Sequence, residues 1–216
     1  GGTAAAVQWH KEMINYVKSY ESGKPKKHLV GMTGGWGIGE TNMLSSSADW
    51  ISPDWDSYKE GGPANYSGKV VISDTDHFGE WGFSEPADAE NMRKFVWKTF
   101  TRGNHPIFMD PHKSVISGRY NGVLDSVYDP IRKTMGYTLT YANKFTNLAS
   151  MVPSETISST QYALVNSGKE YLVYQPTSNT AFTVNLTAGT YSYEWFNPAT
   201  GSISSTGTFT ATAGNR

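Results

Sequence analysis

Four residues of buried-strand character, Val70-Val71-Ile72-Ser73, run straight into Asp74, Thr75, Asp76 and His77. The pattern returns as Pro106-Ile107-Phe108-Met109, followed by Asp110, Pro111 and His112. Parallel α/β sheets place their chemistry at the carboxyl ends of strands. Two such ends, each with an acid and an imidazole, suggest one shared pocket, and the pocket suggests an enzyme. Asp74 leaves its strand directly, and alternation sends Asp76 to the same side. Glu80 follows in the next loop as a third acid. The same residues have plainer uses, since an Asp-Thr-Asp run at a strand end also caps turns by accepting backbone N–H bonds. Asp74, Asp76 and His77 together would suit Ca²⁺ or Mn²⁺, but nothing in their spacing sets a ligand number, so no metal ligand is assigned. His77, His112 and Asp110 are candidates to contact substrate or to hold the acids. Trp36, Trp50 and Trp81 are candidate stacking platforms. Trp97 falls inside a helical pattern and reads as core.

The elements that must carry these residues alternate over the first two-thirds of the chain. Trp9, Met13, Val17 and Tyr20 recur at helical spacing and predict an amphipathic helix over 3–22, stopped by Gly23 and Pro25. Strands are predicted at 28–33, opening into Gly34-Gly35-Trp36-Gly37, at 48–53, at 69–73 and at 106–109. The glycine string lacks the spacing and the lysine of a nucleotide loop. Pro86, capped by Ser84 or Glu85, predicts a helix with Met92, Val96 and Phe100 on one stripe and Gly103 at its end. Asp129-Pro130 opens another, with Ile131, Met135, Leu139, Ala142 and Phe145 as its stripe. After Val152-Pro153 helical periodicity vanishes. Strands are predicted at 161–165, 170–174, 181–186, 190–196 and 207–211, with turns at 166–168, 177–179, 188–189 and 198–201. That texture is a small antiparallel β-sandwich.

Composition excludes several classes. The 216 residues carry a net charge of −1, so nothing calls for nucleic acid or an anionic membrane. The basic run 24–27 reads as a solvated helix-to-strand turn. No apolar run is long enough to cross a bilayer. There are no cysteines, which excludes disulfides and thiolate metal sites. That fits the cytosol and equally an exported bacterial protein. The opening Gly1-Gly2-Thr3 does not resemble a natural start, so the missing signal peptide carries little weight. Aromatic residues make up 13%, with 7 Trp and 13 Tyr, which serves both core filling and sugar stacking. Asn65-Tyr66-Ser67 and Asn185-Leu186-Thr187 match a glycosylation pattern that arises often by chance.

Only about four strands alternate with helices, and half a barrel would leave an open sheet edge on each side. The segments Ser73 to His77, Phe95 to Gly103, Pro106 to Pro111 and Met135-Gly136-Tyr137-Thr138 resemble those of apiosidase-like glycoside hydrolases. That family carries a (β/α)8 TIM barrel followed by a so-called collagen-binding β-sandwich domain. The tail resembles the second domain through Met151-Val152-Pro153, Gly168 to Tyr174 and Glu194 to Gly201. The resemblance implies an α/β plus all-β chain: residues 1–150 the carboxyl-terminal part of a barrel, 151–216 the sandwich. It implies that the chain begins near the helix after barrel strand four and stops one strand before the sandwich normally ends. It further implies a secreted or periplasmic hydrolase of complex, plant-type polysaccharide, using two carboxylates and no cofactor. Asp74 or Asp76 would be the nucleophile, with Asp here where many barrel hydrolases have Glu. The partner acid would precede Gly1, so the isolated chain is expected to be inactive. The competing expectation is a non-catalytic carbohydrate- or matrix-binding module built on the sandwich.

Overall fold

The computed structural model describes residues 3–34, 38–53, 64–65, 67–73, 89–108, 126–212 and 214–215. The chain opens with helix α1 (Ala4–Glu21), whose first turn is capped by the Thr3 hydroxyl accepting from the Ala6 N–H at 3.2 Å. The connection back to the sheet is folded by the Glu21 carboxylate, which accepts from the His28 backbone N–H at 2.7 Å and contacts its ring nitrogen at 2.6 Å. Those bonds hold the Glu21 pKa below its ordinary value. Lys24, in the expected basic turn, lies 4.7 Å from the Tyr20 ring centre.

Strands β1 (Gly31–Thr33), β2 (Trp50–Ser52), β3 (Val70–Ser73) and β4 (His105–Pro106) form one parallel sheet in sequence order. The chain is therefore α/β in this part; β1, β2 and β3 fall within the expected runs, whereas β4 shares only Pro106 with the strand expected over 106–109. A five-residue helix α2 (Glu40–Leu44), too short to show a period, precedes β2. Met32, Ile51 and Val71 stand in one cross-strand row and bury against Ile14 of α1, Met43 of α2 and Ala48. Lys18 of α1 donates to Asp49 at 2.5 Å, and Asp49 also accepts from the Val30 N–H at 2.9 Å. Those two bonds pull the Asp49 pKa below the usual carboxylate range.

The buried face of α1 differs from the expected one. Ile14 is inside, while Trp9 is 58% exposed and Met13, Tyr16 and Tyr20 are exposed as well. At 3.6 residues per turn the Trp9-Met13-Tyr16-Tyr20 edge lies about a third of a turn round from Ile14. The helix has two apolar edges, and contact with the sheet selects the other one.

Helix α3 (Ala89–Thr101) is buried on nearly every side, Met92, Phe95, Val96, Trp97 and Phe100 included. It ends in a Schellman turn: the Gly103 N–H donates to the Phe100 carbonyl at 3.0 Å, and the Asn104 N–H to the Thr99 carbonyl at 3.1 Å. Gly103 takes φ +75°, which a side chain resists. Helix α4 (Asp129–Lys144) packs Ile131 on Met92, Phe95 and Val96, with Met135 partly buried beside them. Its inner face runs Ile131, Thr134, Thr138, Tyr141. Leu139, expected on the stripe, is 62% exposed because the stripe turns with the helix.

The rest of the chain is antiparallel. Strands β5 (Val152–Ser154), β6 (Ala163–Asn166) and β7 (Glu170–Val173) form one sheet. A short pair joins β8 (Asn185–Leu186) to β11 (Gly214–Asn215), and a long hairpin joins β9 (Gly189–Asn197) to β10 (Ser202–Ala211). The strand expected over 181–186 shrinks to its last two residues. Thr183 and Asn185 instead bond the 157–159 segment, through Ser159 and Ile157. Gln161, expected to open a strand, has φ +64° and turns the chain before β6.

An aromatic cluster ties the antiparallel part to the helices. Trp97 meets Phe100, Tyr141, Tyr174 and Phe196, at centroid distances of 5.7 to 6.3 Å. Phe196 of β9 also meets Tyr141 at 4.9 Å and Tyr137 at 5.7 Å. Beside the rings, Glu194 accepts from the Tyr141 hydroxyl at 2.5 Å and from Lys144. Trp97 is thus core, as its helical position predicts.

Candidate functional site

The carboxyl edge of the parallel sheet is where the strand ends of the sequence analysis converge. β3 and β4 are neighbours, with Ile72 opposite His105 and Ser73 opposite Pro106. The Ile107 N–H then donates to the Ser73 carbonyl at 2.7 Å, so pairing continues to the last residue of β3. On the other side the Gly34 N–H donates to the Ser52 carbonyl at 2.6 Å. Three strands, ending at Ser52, Ser73 and Pro106, thus reach one edge in one direction. Ser73 immediately precedes Asp74, and Pro106 stands four residues before Asp110.

Asp74, Asp76, His77, Glu80, Trp81, Asp110, His112 and Trp36 lie outside the described residues. Trp50 lies within them. It is half-buried at the start of β2, opposite Gly31 of β1. A Cβ on Gly31 would stand 2.1 Å from the indole carbons Cε2 and Cζ2. The ring therefore lies directly across the glycine, on the sheet face opposite to α1.

That second face has its own composition. Trp50 and Val70 form one cross-strand row with Gly31, and Ile72 and His105 pair in a row nearer the carboxyl edge. Val70 is 47% exposed and Thr33 is exposed too, whereas Ser52 is buried and Trp50 and Ile72 are half-buried, so the described residues leave this face open in part. His105 is the titratable group on it, and sequence reasoning passed over it in favour of His77 and His112. Atoms crowded round its ring hold its pKa below the ordinary histidine value, although the residue keeps an exposed side. A neutral imidazole on this face can accept or donate a hydrogen bond at pH 7. No pattern in the sequence marks it, since it opens a two-residue strand.

Among the described residues no three His, Cys, Asp or Glu side chains gather as a metal site would require. No helix among them is long and apolar enough to cross a membrane. The Asn65 side chain of the first glycosylation match is already engaged: its Nδ2 donates to the Lys69 carbonyl at 2.8 Å and to the Gly103 carbonyl at 3.2 Å. Its role is to tie the approach to β3 onto the end of α3. Comparison with known protein families and with curated proteins returns no match to this chain.

Proposed function

We propose that this chain is the carboxyl-terminal part of a glycoside hydrolase, comprising half of a (β/α)8 barrel and a β-sandwich. The observation that carries the reading is the shared edge: β3 and β4 are adjacent and parallel, and each leads in sequence to an acid and an imidazole. Two carboxyl groups flanking a glycosidic bond are the minimal equipment for its hydrolysis. The face of the sheet that the described residues leave partly open supports the barrel. Parallel sheets are covered on both faces, and here α1 and α2 cover only one. Closure into a barrel would turn Trp50, Val70 and Ile72 inward and give β1 and β4, each with one partner among the described strands, a second neighbour.

In this reading Asp74 or Asp76 attacks the sugar or activates water, and the proton donor comes from a preceding barrel half. The substrate is an oligo- or polysaccharide, and the protein is secreted or periplasmic. The test is to extend the reading frame upstream and assay the longer protein on plant-type polysaccharides. Four further strands are expected, with an acid after the last of them. Asp74→Asn or Asp76→Asn is expected to cut turnover by at least about 10²-fold with the fold retained. Unaltered rates in both variants would overturn the assignment. Turnover by the 216-residue chain alone would overturn the need for a second half.

A further inference from the structure

The β9–β10 hairpin carries an aromatic face that neither the helices nor the sheet edge employs. Side chains alternate along β9. Ser192, Glu194 and Phe196 point one way, where Phe196 enters the Trp97 cluster and Glu194 bonds Tyr141 and Lys144. Tyr191, Tyr193 and Trp195 point the other way. The register sets Phe209 opposite Tyr191, Gly207 opposite Tyr193 and Ser205 opposite Trp195. Tyr171 of β7 meets Tyr191 at 5.7 Å and anchors the inner end of the row. At the outer end Phe182 meets Trp195 at 5.7 Å, yet Trp195 remains 52% exposed and Tyr193 38%. Gly207 shapes the surface: a Cβ there would lie 2.9 Å from the Tyr193 ring. The phenol thus reaches across the neighbouring strand, as rings do over cross-strand glycines.

The chemistry around this row is unusually uncharged. Between residues 170 and 215 the only ionisable acids or bases other than tyrosine are Glu170 and Glu194. Glu194 is spent on the opposite side, and Glu170 accepts from the Thr146 N–H at 2.9 Å. A segment without cations of its own does not suit nucleic acid or an anionic membrane. On the aromatic face Ser205 stands opposite Trp195, and the Thr187 hydroxyl bonds the Tyr191 hydroxyl at 2.8 Å, so neutral donors and acceptors flank the rings.

We propose that this face binds a neutral glycan, with Tyr193 and Trp195 stacking on the apolar C–H faces of successive sugar rings and the surrounding hydroxyls bonding the sugar hydroxyls. Rings two residues apart along β9 are spaced about 7 Å, within the reach of one extended oligosaccharide. Two other occupants fit less well. Proline-rich segments dock between aromatic ridges, whereas Phe182 and Trp195 cross at 71° and Tyr193 and Phe209 at 55°. A second copy of the chain needs about 800 Å² per partner, and two half-exposed rings offer on the order of 200 Å². The glycan inference stands apart from the hydrolase reading, because it uses no residue of the parallel sheet.

The test is retention of the 216-residue chain by neutral polysaccharides (a β-glucan, a xylan and a galactomannan) in affinity electrophoresis, with heparin and polyproline as comparison ligands. Retention by at least one neutral glycan is expected, weakened at least tenfold by Trp195→Ala and by Tyr193→Ala with unchanged far-ultraviolet circular dichroism. Gly207→Val, which displaces the Tyr193 ring, is expected to weaken it too. Asp74→Asn is expected to leave it unaltered. The inference is overturned by no retention on any neutral glycan, by retention on heparin or polyproline alone, or by wild-type retention of both aromatic variants. Loss of retention in Asp74→Asn would overturn it as well, by moving the glycan to the sheet edge. A dimer abolished by Trp195→Ala would assign the face to self-association and overturn it equally.

Discussion

Replacing Phe196 with alanine is expected to uncouple the β9–β10 hairpin from the helices. Phe196 is the hairpin residue that meets Trp97, Tyr137 and Tyr141, at 5.7, 5.7 and 4.9 Å. Truncating a buried phenylalanine costs about 3–5 kcal/mol, including the cavity left behind. Phe196 is only partly buried, and its position beside Glu194 allows some collapse, so about 3 kcal/mol is the expected loss. For a chain of this size each kcal/mol lowers Tm by about 2–4 °C, which predicts a drop of about 6–12 °C. Urea unfolding should be followed by tryptophan fluorescence and far-ultraviolet circular dichroism on the same samples. In the wild-type chain the two curves should coincide, because one aromatic cluster spans helices and strands. In the variant they should separate. Leu139→Ala, on the exposed side of α4, serves as the control and should move stability by no more than about 0.5 kcal/mol. A loss below about 1 kcal/mol with coincident curves, or two separate transitions already in the wild type, would refute the argument that the cluster welds the two parts.

Gly31→Ala should destabilise the sheet by about 1–3 kcal/mol, since the new methyl meets the Trp50 indole; chemical denaturation measures the loss, and a change in tryptophan emission locates it. Asp49→Ala should cost about 1–3 kcal/mol by removing a charged and a backbone hydrogen bond that hold α1 and β1 together, read from the same denaturation curves. Acid should weaken the helix–hairpin contact through Glu194. Partial burial pushes its pKa up, but hydrogen bonds from Lys144 and Tyr141 outweigh that and leave it lowered. A carboxylate with a lowered folded pKa contributes stability above its unfolded pKa and loses it as pH falls from the ordinary carboxylate range through the folded value. Glu194→Gln should therefore flatten part of the stability loss seen below about pH 5, measured as Tm against pH.

The parallel sheet was legible because buried parallel strands read as apolar runs, and Val70 to Ser73 shows this most clearly. The buried side of α1 was not legible. Trp9, Met13 and Tyr20 together carry more apolar side-chain surface than Ile14, yet the side facing Met32 and Val71 is the one buried. Side-chain periodicity announces a helix but not which of two apolar edges meets its neighbour. The strand expected over 181–186 is short for a related reason, since Thr183 and Asn185 bond Ser159 and Ile157 of an irregular segment in a single bridge. For the candidate site, the end of β3 at Ser73 was readable, whereas β4 stops at Pro106, ahead of the end its apolar run predicts. His105 was not, because a histidine ahead of a proline carries no pattern of its own. Gly31 gave no hint of its partner either, since only pairing in register sets it beneath Trp50.

The cation-free run of the hairpin has a practical corollary for proteolysis and chemical labelling. Lys169 sits exposed in the turn between β6 and β7, and the next tryptic site is Arg216. Trypsin should therefore release residues 170–216 as one uninterrupted peptide, a direct mass-spectrometric tag for this portion of the chain. Amine-reactive cross-linkers find no lysine anywhere on that peptide, so proximity maps of the hairpin must rely on carboxylate- or tyrosine-directed reagents.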